Sequence, residues 1–140
     1  MSNILVTGGM GFIGHNVVAK LEKLGHTVVI LDTRTNYGLI PHDELDYLMK
    51  ERLKKIKTIR NYRIDINDKV FVTGILRDFE IDTIIHLASF PRQKVVNANP
   101  QEGSKAISEG LLNLLEAADY TKVVKFVYVS SSMVYGDFKD

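Results

Sequence analysis

Gly8, Gly11 and Gly14, set three residues apart, stand directly after the apolar run Ile4-Leu5-Val6 and open a helical pattern. This junction restricts the chain more than any other part of it. The stretch Val6-Thr7-Gly8-Gly9-Met10-Gly11-Phe12-Ile13-Gly14 fits G-x-x-G-x-x-G, and through Gly9, Gly11 and Gly14 it also fits G-x-G-x-x-G. A glycine pattern alone is weak, but a strand before it and a helix after it give it meaning. One glycine permits the tight turn, one lets the backbone approach a pyrophosphate, and one lets the helix pack close to the strand. The anion then faces free N–H groups and the positive dipole end of the helix, here around Phe12 and Ile13. No Gly-Lys-Ser/Thr follows, so a Walker-type phosphate loop is excluded.

Asp32 ends the second apolar run, 18 residues after Gly14. A carboxylate there accepts hydrogen bonds from ribose hydroxyls and repels a 2′-phosphate. NAD is therefore expected ahead of NADP, although Arg34, two residues on, is a group that a 2′-phosphate could use.

The rest of the chain repeats the alternation. Val28–Leu31, Thr83–Leu87 and Phe126–Val129 are continuous apolar runs, as expected of strands covered on both faces of a parallel sheet. A weaker strand is expected at Tyr62–Ile64. Helices are predicted over Phe12–Leu24, Asp43–Lys57, Asp68–Phe79 and Gln101–Ala118. Gly25 is placed to end the first, Asn67 to cap the third, and Pro100 precedes the fourth. In the second, Leu45, Leu48, Met49, Leu53 and Ile56 share one side, and the basic run Lys50–Lys57 reads as its solvated face. Strands alternating with helices imply right-handed crossovers and an α/β, doubly wound sheet of about five parallel strands with helices on both faces.

Composition narrows the partners. The 140 residues suffice for one domain, and a net charge of +1 offers nothing to nucleic acid or an anionic membrane. The absence of cysteine removes disulfides, thiolate-bound metal and a cysteine nucleophile. No apolar run reaches the 18 or so residues of a membrane helix, and the N-terminus lacks signal-peptide regions, so a cytoplasmic location is expected.

Four features together resemble the NAD-dependent epimerase/dehydratase family, extended short-chain dehydrogenase/reductases that act on nucleotide sugars. They are the glycine loop Thr7–Gly14, Asp65-Ile66, His86-Leu87-Ala88-Ser89 and Ser130-Ser131-Ser132-Met133-Val134-Tyr135-Gly136. The resemblance implies a Rossmann-type fold with strand order 3-2-1-4-5, and Asp65 and Ile66 reaching the adenine. It implies that Leu87, Ala88 and Ser89 line the nicotinamide side, and that Ser131, with Ser132 the second choice, meets the reacting sugar hydroxyl. His86 reads as a packed strand histidine without proton chemistry. The chain departs from the pattern at Ile107, where the family often has Asn, and at Val96, where it often has Ser.

The family's chemistry also uses a Tyr-x-x-x-Lys helix about two dozen residues beyond the serine. The one bare match, Tyr135 to Lys139, is rejected because Gly-Asp after the tyrosine is poor helix sequence. Residues 1–140 are thus expected to form an incomplete NAD-binding domain, without the sixth and seventh strands, the Tyr/Lys helix and the substrate domain. Alone it is expected to be inactive and to expose the edge of its fifth strand to self-association. The leading expectation is the cofactor-binding part of a nucleotide-sugar epimerase or dehydratase. A non-catalytic dinucleotide-binding module, a sensor, or a subunit completed by a partner chain stays open as the alternative.

Overall fold

The structure, a computed structural model, describes residues 1–90 and 93–136, apart from the side chains of Gln93, Ser132 and Met133. Its strands are β1 (Asn3–Thr7), β2 (Thr27–Leu31), β3 (Asn61–Tyr62), β4 (Thr83–His86) and β5 (Lys125–Tyr128). All pair in parallel, in the order β3-β2-β1-β4-β5 that the family resemblance implies. The helices are α1 (Gly14–Lys23), α2 (His42–Leu53), α3 (Lys69–Asp78), α4 (Gln93–Ala98), α5 (Pro100–Ser104) and α6 (Gly110–Asp119).

Successive side chains of a strand point to opposite faces, and the two halves of the core divide accordingly. Ile4, Val6, Val28 and Ile30 pack with Val18 of α1, together with Met10 and Ile56. Leu5, Val29, Leu31 and Ile84 face the other way, onto Val72, Ile75 and Leu76 of α3 and Leu114 and Ala117 of α6. Unbroken apolar runs in β1 and β2 are the direct result of this two-sided cover. Gly25 ends α1 at φ +84°, the left-handed conformation expected of it. Pro100 stands in the first turn of α5, where its missing N–H costs nothing.

Several expectations are corrected. The third strand is only Asn61–Tyr62, so Asp65 lies three residues beyond its end. The cap of α3 is Asp68, whose Oδ1 accepts the Phe71 N–H at 3.0 Å. Asn67 turns instead to Asp65, donating to its Oδ1 from backbone and side chain at 2.9 and 3.0 Å. Helix α2 stops at Leu53 and buries none of its residues; Ile56, counted in its apolar face, reaches the core from the coil that follows. The long fourth helix is interrupted: α5 and α6 are joined through a π-helical turn at Lys105–Glu109. Helix α4 before it was not foreseen. Strand β5 is covered on one side only. Phe126 packs into the α3–α6 core, while Val127 and Tyr128 stay 41% and 48% exposed.

No helix among the described residues is long and apolar enough to cross a membrane.

Candidate functional site

The carboxyl ends of the strands carry the site, as expected for an open parallel sheet. Here β1 passes into the glycine loop. Gly8 adopts φ +67°, and a Cβ on it would meet the backbone of Leu87 and Ala88 at 2.8–3.0 Å. The turn out of β1 is therefore pressed against the end of β4. Gly14 serves the third of the roles required above: a Cβ there would lie 2.1 Å from the Gly8 carbonyl, so α1 starts on top of the loop. Gly11 stands at an ordinary φ with only the Gly8 carbonyl near its missing Cβ, and it lines the cleft.

The loop presents donors. Gly11 N–H is held by the Gly8 carbonyl at 3.0 Å, and Gly8 N–H by the Leu31 carbonyl at 2.8 Å. Among the described residues nothing accepts from the N–H groups of Phe12, Ile13 and Gly14 at the head of α1. Such groups, with the helix dipole behind them, attract an anion.

Two clefts meet at this loop. One, of about 180 Å³, runs toward β2 and β3, between Asp32, Thr33, Tyr37, Asp65 and Ile66. The other, of about 720 Å³, runs toward β5, past His86, Phe90, Ile107, Tyr128 and Ser131. Gly8, Gly11, Leu87, Ala88 and Ser89 line both. A ligand filling the two must be elongated and must cross the loop at its middle.

Gly8, Gly11, Gly14, Asp32, Asp65, Ile66, Leu87, Ala88, Ser89 and Ser131 line these walls. Asp32, just past β2, accepts the Met10 N–H on Oδ2 at 2.9 Å and the Arg34 N–H on Oδ1 at 2.7 Å. It has one bond on each oxygen, and a carboxylate accommodates about four. Arg34 turns away from the cleft's mouth toward β3 and donates from Nη2 to Asn61 Oδ1 at 3.1 Å. Asp65 is exposed, whereas Ile66 is buried under Gly110, whose absent Cβ would strike it at 2.3 Å. Phe12 and Ile13 hold their side chains out to solvent, 78% and 62% exposed, so only their backbone faces inward chemistry. Ser131 stands exposed in the larger cleft. The side chain of Ser132, the second choice, lies outside the described residues, and so does Lys139. Gly136, at φ +67°, follows the short 3₁₀ turn Ser132–Tyr135.

His86 is structural. It is 2% exposed and stacks on Tyr128 with ring centroids 5.8 Å apart. Its Nδ1 shares a 2.6 Å hydrogen bond with the Thr7 hydroxyl, which also accepts the Ala88 N–H at 3.2 Å. Burial pushes the imidazole down from 6.5 to about 4, so it is neutral at pH 7. It ties β1 to β4 beneath the loop.

Sequence reading missed two participants. Tyr37, at φ +52°, walls the smaller cleft and packs edge-on against Phe90, centroids 4.4 Å apart. Burial, and then the charges of Asp65 and Asp32, push its hydroxyl pKa up, so it stays protonated. An aromatic in an irregular stretch carries no signal of its own. Arg52 is the other, and it was hidden in a basic run. The two departures from the family pattern also separate here. Ile107 lines the larger cleft, whereas Val96 packs against Gly103. No cluster of acidic or histidine side chains among the described residues could hold a metal ion.

Comparison with known proteins agrees with this geometry. The model of the NAD dependent epimerase/dehydratase family matches residues 4–140. A UDP-glucose 4-epimerase of Neisseria meningitidis serogroup A is 36% identical over 98% of this chain, which spans 39% of that relative's length. Two crystal structures superpose on it. A UDP-glucose 4-epimerase from Stenotrophomonas maltophila, with bound NAD and formylated UDP-arabinopyranose, has a TM-score of 0.81 and 26% identity, over all of this chain and 40% of that one. One from Thermotoga maritima with UDP-glucose has a TM-score of 0.80 and 28% identity, over 99% of this chain and 41% of that one. The chain belongs to the NAD dependent epimerase/dehydratase family.

Proposed function

We propose that this chain is the NAD-binding part of a nucleotide-sugar epimerase or dehydratase, in which hydride passes between a sugar carbon and NAD. The observation that carries the reading is the pair of clefts joined across a glycine loop with unengaged N–H groups. A dinucleotide is elongated and has its anionic pyrophosphate at the middle, so it fits that shape and that charge. UDP-glucose 4-epimerase relatives, one holding NAD, support it.

In this reading the Phe12, Ile13 and Gly14 N–H groups hold the pyrophosphate, with Gly8 and Gly11 giving the backbone room to come close. Asp32 takes the adenosine ribose on its remaining lone pairs, and its charge opposes a 2′-phosphate. Asp65 and Ile66 wall the adenine, and Leu87, Ala88 and Ser89 the nicotinamide side. Ser131 orients the sugar hydroxyl in the larger cleft. When bound, NAD would supply the hydride acceptor, and these residues would place it. Turnover needs a general base beside Ser131, and none of the residues described supplies one, so the chain alone is expected to convert no nucleotide sugar. The exposed apolar edge of β5 belongs to the same reading as a self-association surface, which sedimentation at rising concentration would detect.

The test is a calorimetric titration with NAD, NADH and NADPH. Binding of NAD(H) well ahead of NADPH is expected. A folded chain that binds none of them would sink the proposal.

A further inference from the structure

Met10 lies inside the glycine loop, fully buried and outside any helix or strand, yet three separate elements grip it. Its N–H donates to Asp32 Oδ2 at the end of β2. Its sulfur accepts from Asn61 Nδ2 of β3 at 3.2 Å. Its carbonyl accepts from Nη1 of Arg52, in the last turn of α2, at 2.7 Å. Asn61 in turn receives Arg34, whose backbone N–H returns to Asp32, so the contacts close a ring under the loop.

The carbonyl bond is the one with a consequence for ligand. Met10 C=O and Gly11 N–H belong to one peptide plane, and that N–H is held by the Gly8 carbonyl. A peptide plane preceding glycine can turn over at little steric cost, because glycine accepts φ of either sign. Turned over, this one would withdraw the Gly11 N–H from Gly8 and aim the Met10 carbonyl oxygen where that N–H now points, at the Gly8 carbonyl. Two carbonyl oxygens facing each other repel, so the loop, whose Gly8 and Gly11 line both clefts, would shift and its donors would be misaligned. A guanidinium opposes this strongly, since a charge-assisted hydrogen bond to a carbonyl is about twice as strong as a neutral one.

We infer that Arg52 is a positioning residue for the dinucleotide loop. It pins the Met10–Gly11 peptide plane in the orientation that keeps the Gly11 N–H on Gly8 and the loop's donors aligned, and so sets the affinity for NAD. The same bond adds a polar tether at the C-terminal turn of α2, a helix with no buried residue whose Met49 packs against the core. The consequence for affinity rests on the NAD reading above; the consequence for the loop does not.

The experiment uses the full chain and three variants, R52M, R52K and the control K50M, whose lysine is exposed on the same helix. NAD affinity is read by calorimetry, and loop order by hydrogen exchange at the Met10 and Gly11 amides. R52M is expected to weaken NAD by about tenfold, as loss of a charge-assisted hydrogen bond implies. Its Met10 and Gly11 amides exchange faster while the β1 and β2 amides stay protected. R52K, which keeps a cation but not the guanidinium geometry, falls between, and K50M matches the unaltered chain. If R52M fails to fold, the intermediate behaviour of R52K carries the test. Unchanged affinity, or lost affinity with unchanged loop exchange, overturns the inference. If the unaltered chain binds no NAD, the cofactor reading falls and loop exchange alone decides the role of Arg52.

Discussion

Strands β2 and β5 are both short apolar runs, Thr-Val-Val-Ile-Leu and Lys-Phe-Val-Tyr, yet they have opposite fates. In β2, Val29, Ile30 and Leu31 are wholly buried, because β1 and β3 flank it and helices cover both its faces. Among the described residues β5 has one neighbour, β4, and one covered face, so Val127, and Val129 just past the strand, are 41% and 53% exposed. An apolar run records what a strand can tolerate around it. What surrounds it is decided by its place in the strand order.

The comparison can be broken most sharply with a charge. Val29→Asp buries a carboxylate with no partner and is expected to cost more than about 4 kcal/mol, beyond what most domains of this size tolerate. Val127→Asp, where water reaches the side chain, is expected to leave the urea midpoint nearly unchanged. Equal effects of the two would show that β5 is covered after all.

A smaller effect sits on β4, between the two strands. The folded pKa of His86, about 4, lies below its ordinary 6.5, so the unfolded chain binds the extra proton first. Stability from this group is therefore complete above pH 6.5 and is lost as pH falls from 6.5 toward 4. The loss is on the order of 2–3 kcal/mol. Urea titrations across that window should show the slope, and His86→Gln should flatten it, whatever it does to overall stability.

Smallest is the helix that covers the α3–α6 face of β2. Asp68→Ala removes the cap of α3 and should cost about 1 kcal/mol, whereas Asn67→Ala, which leaves the cap in place, should cost less. Thermal melts of the two side by side would separate them.

These cases also show what was readable in advance. The position of the glycine loop and the left-handed Gly25 follow from patterns contained within a few neighbouring residues, whereas the strand order, which pairs Ile4 with Thr83, follows from the resemblance of whole motifs to the family; the structure has all three. The choice between Asn67 and Asp68 as cap did not follow, since both are good capping residues and only the backbone angle decides. Nor did the end of α2 at Leu53, because Lys54-Lys55-Ile56-Lys57 has no breaker and continues the helical spacing. In the site, Asp32, Leu87, Ala88 and Ser131 could be placed on cleft walls from their motifs. Arg52 could not, because its acceptor is a backbone carbonyl 42 residues away and lysine-rich surroundings disguise it. Tyr37 and Phe90, 53 residues apart in the chain, meet only through the β2–β1–β4 order.

The π-helical turn at Lys105–Glu109 has a different kind of consequence. Each α-helical residue advances about 100° around its axis, so one residue accommodated in a wider turn acts as a phase shift. Everything after it is rotated relative to where an unbroken α-helix of the same residues would put it. Ile107 faces the larger cleft and Gly110 fits over Ile66 with that extra residue in place. The turn therefore works as a spacer in the genetic text as much as in the fold. Removing a single codon from it would let the turn close to ordinary α-helical spacing, with Leu114 and Ala117 still facing the core they now fill.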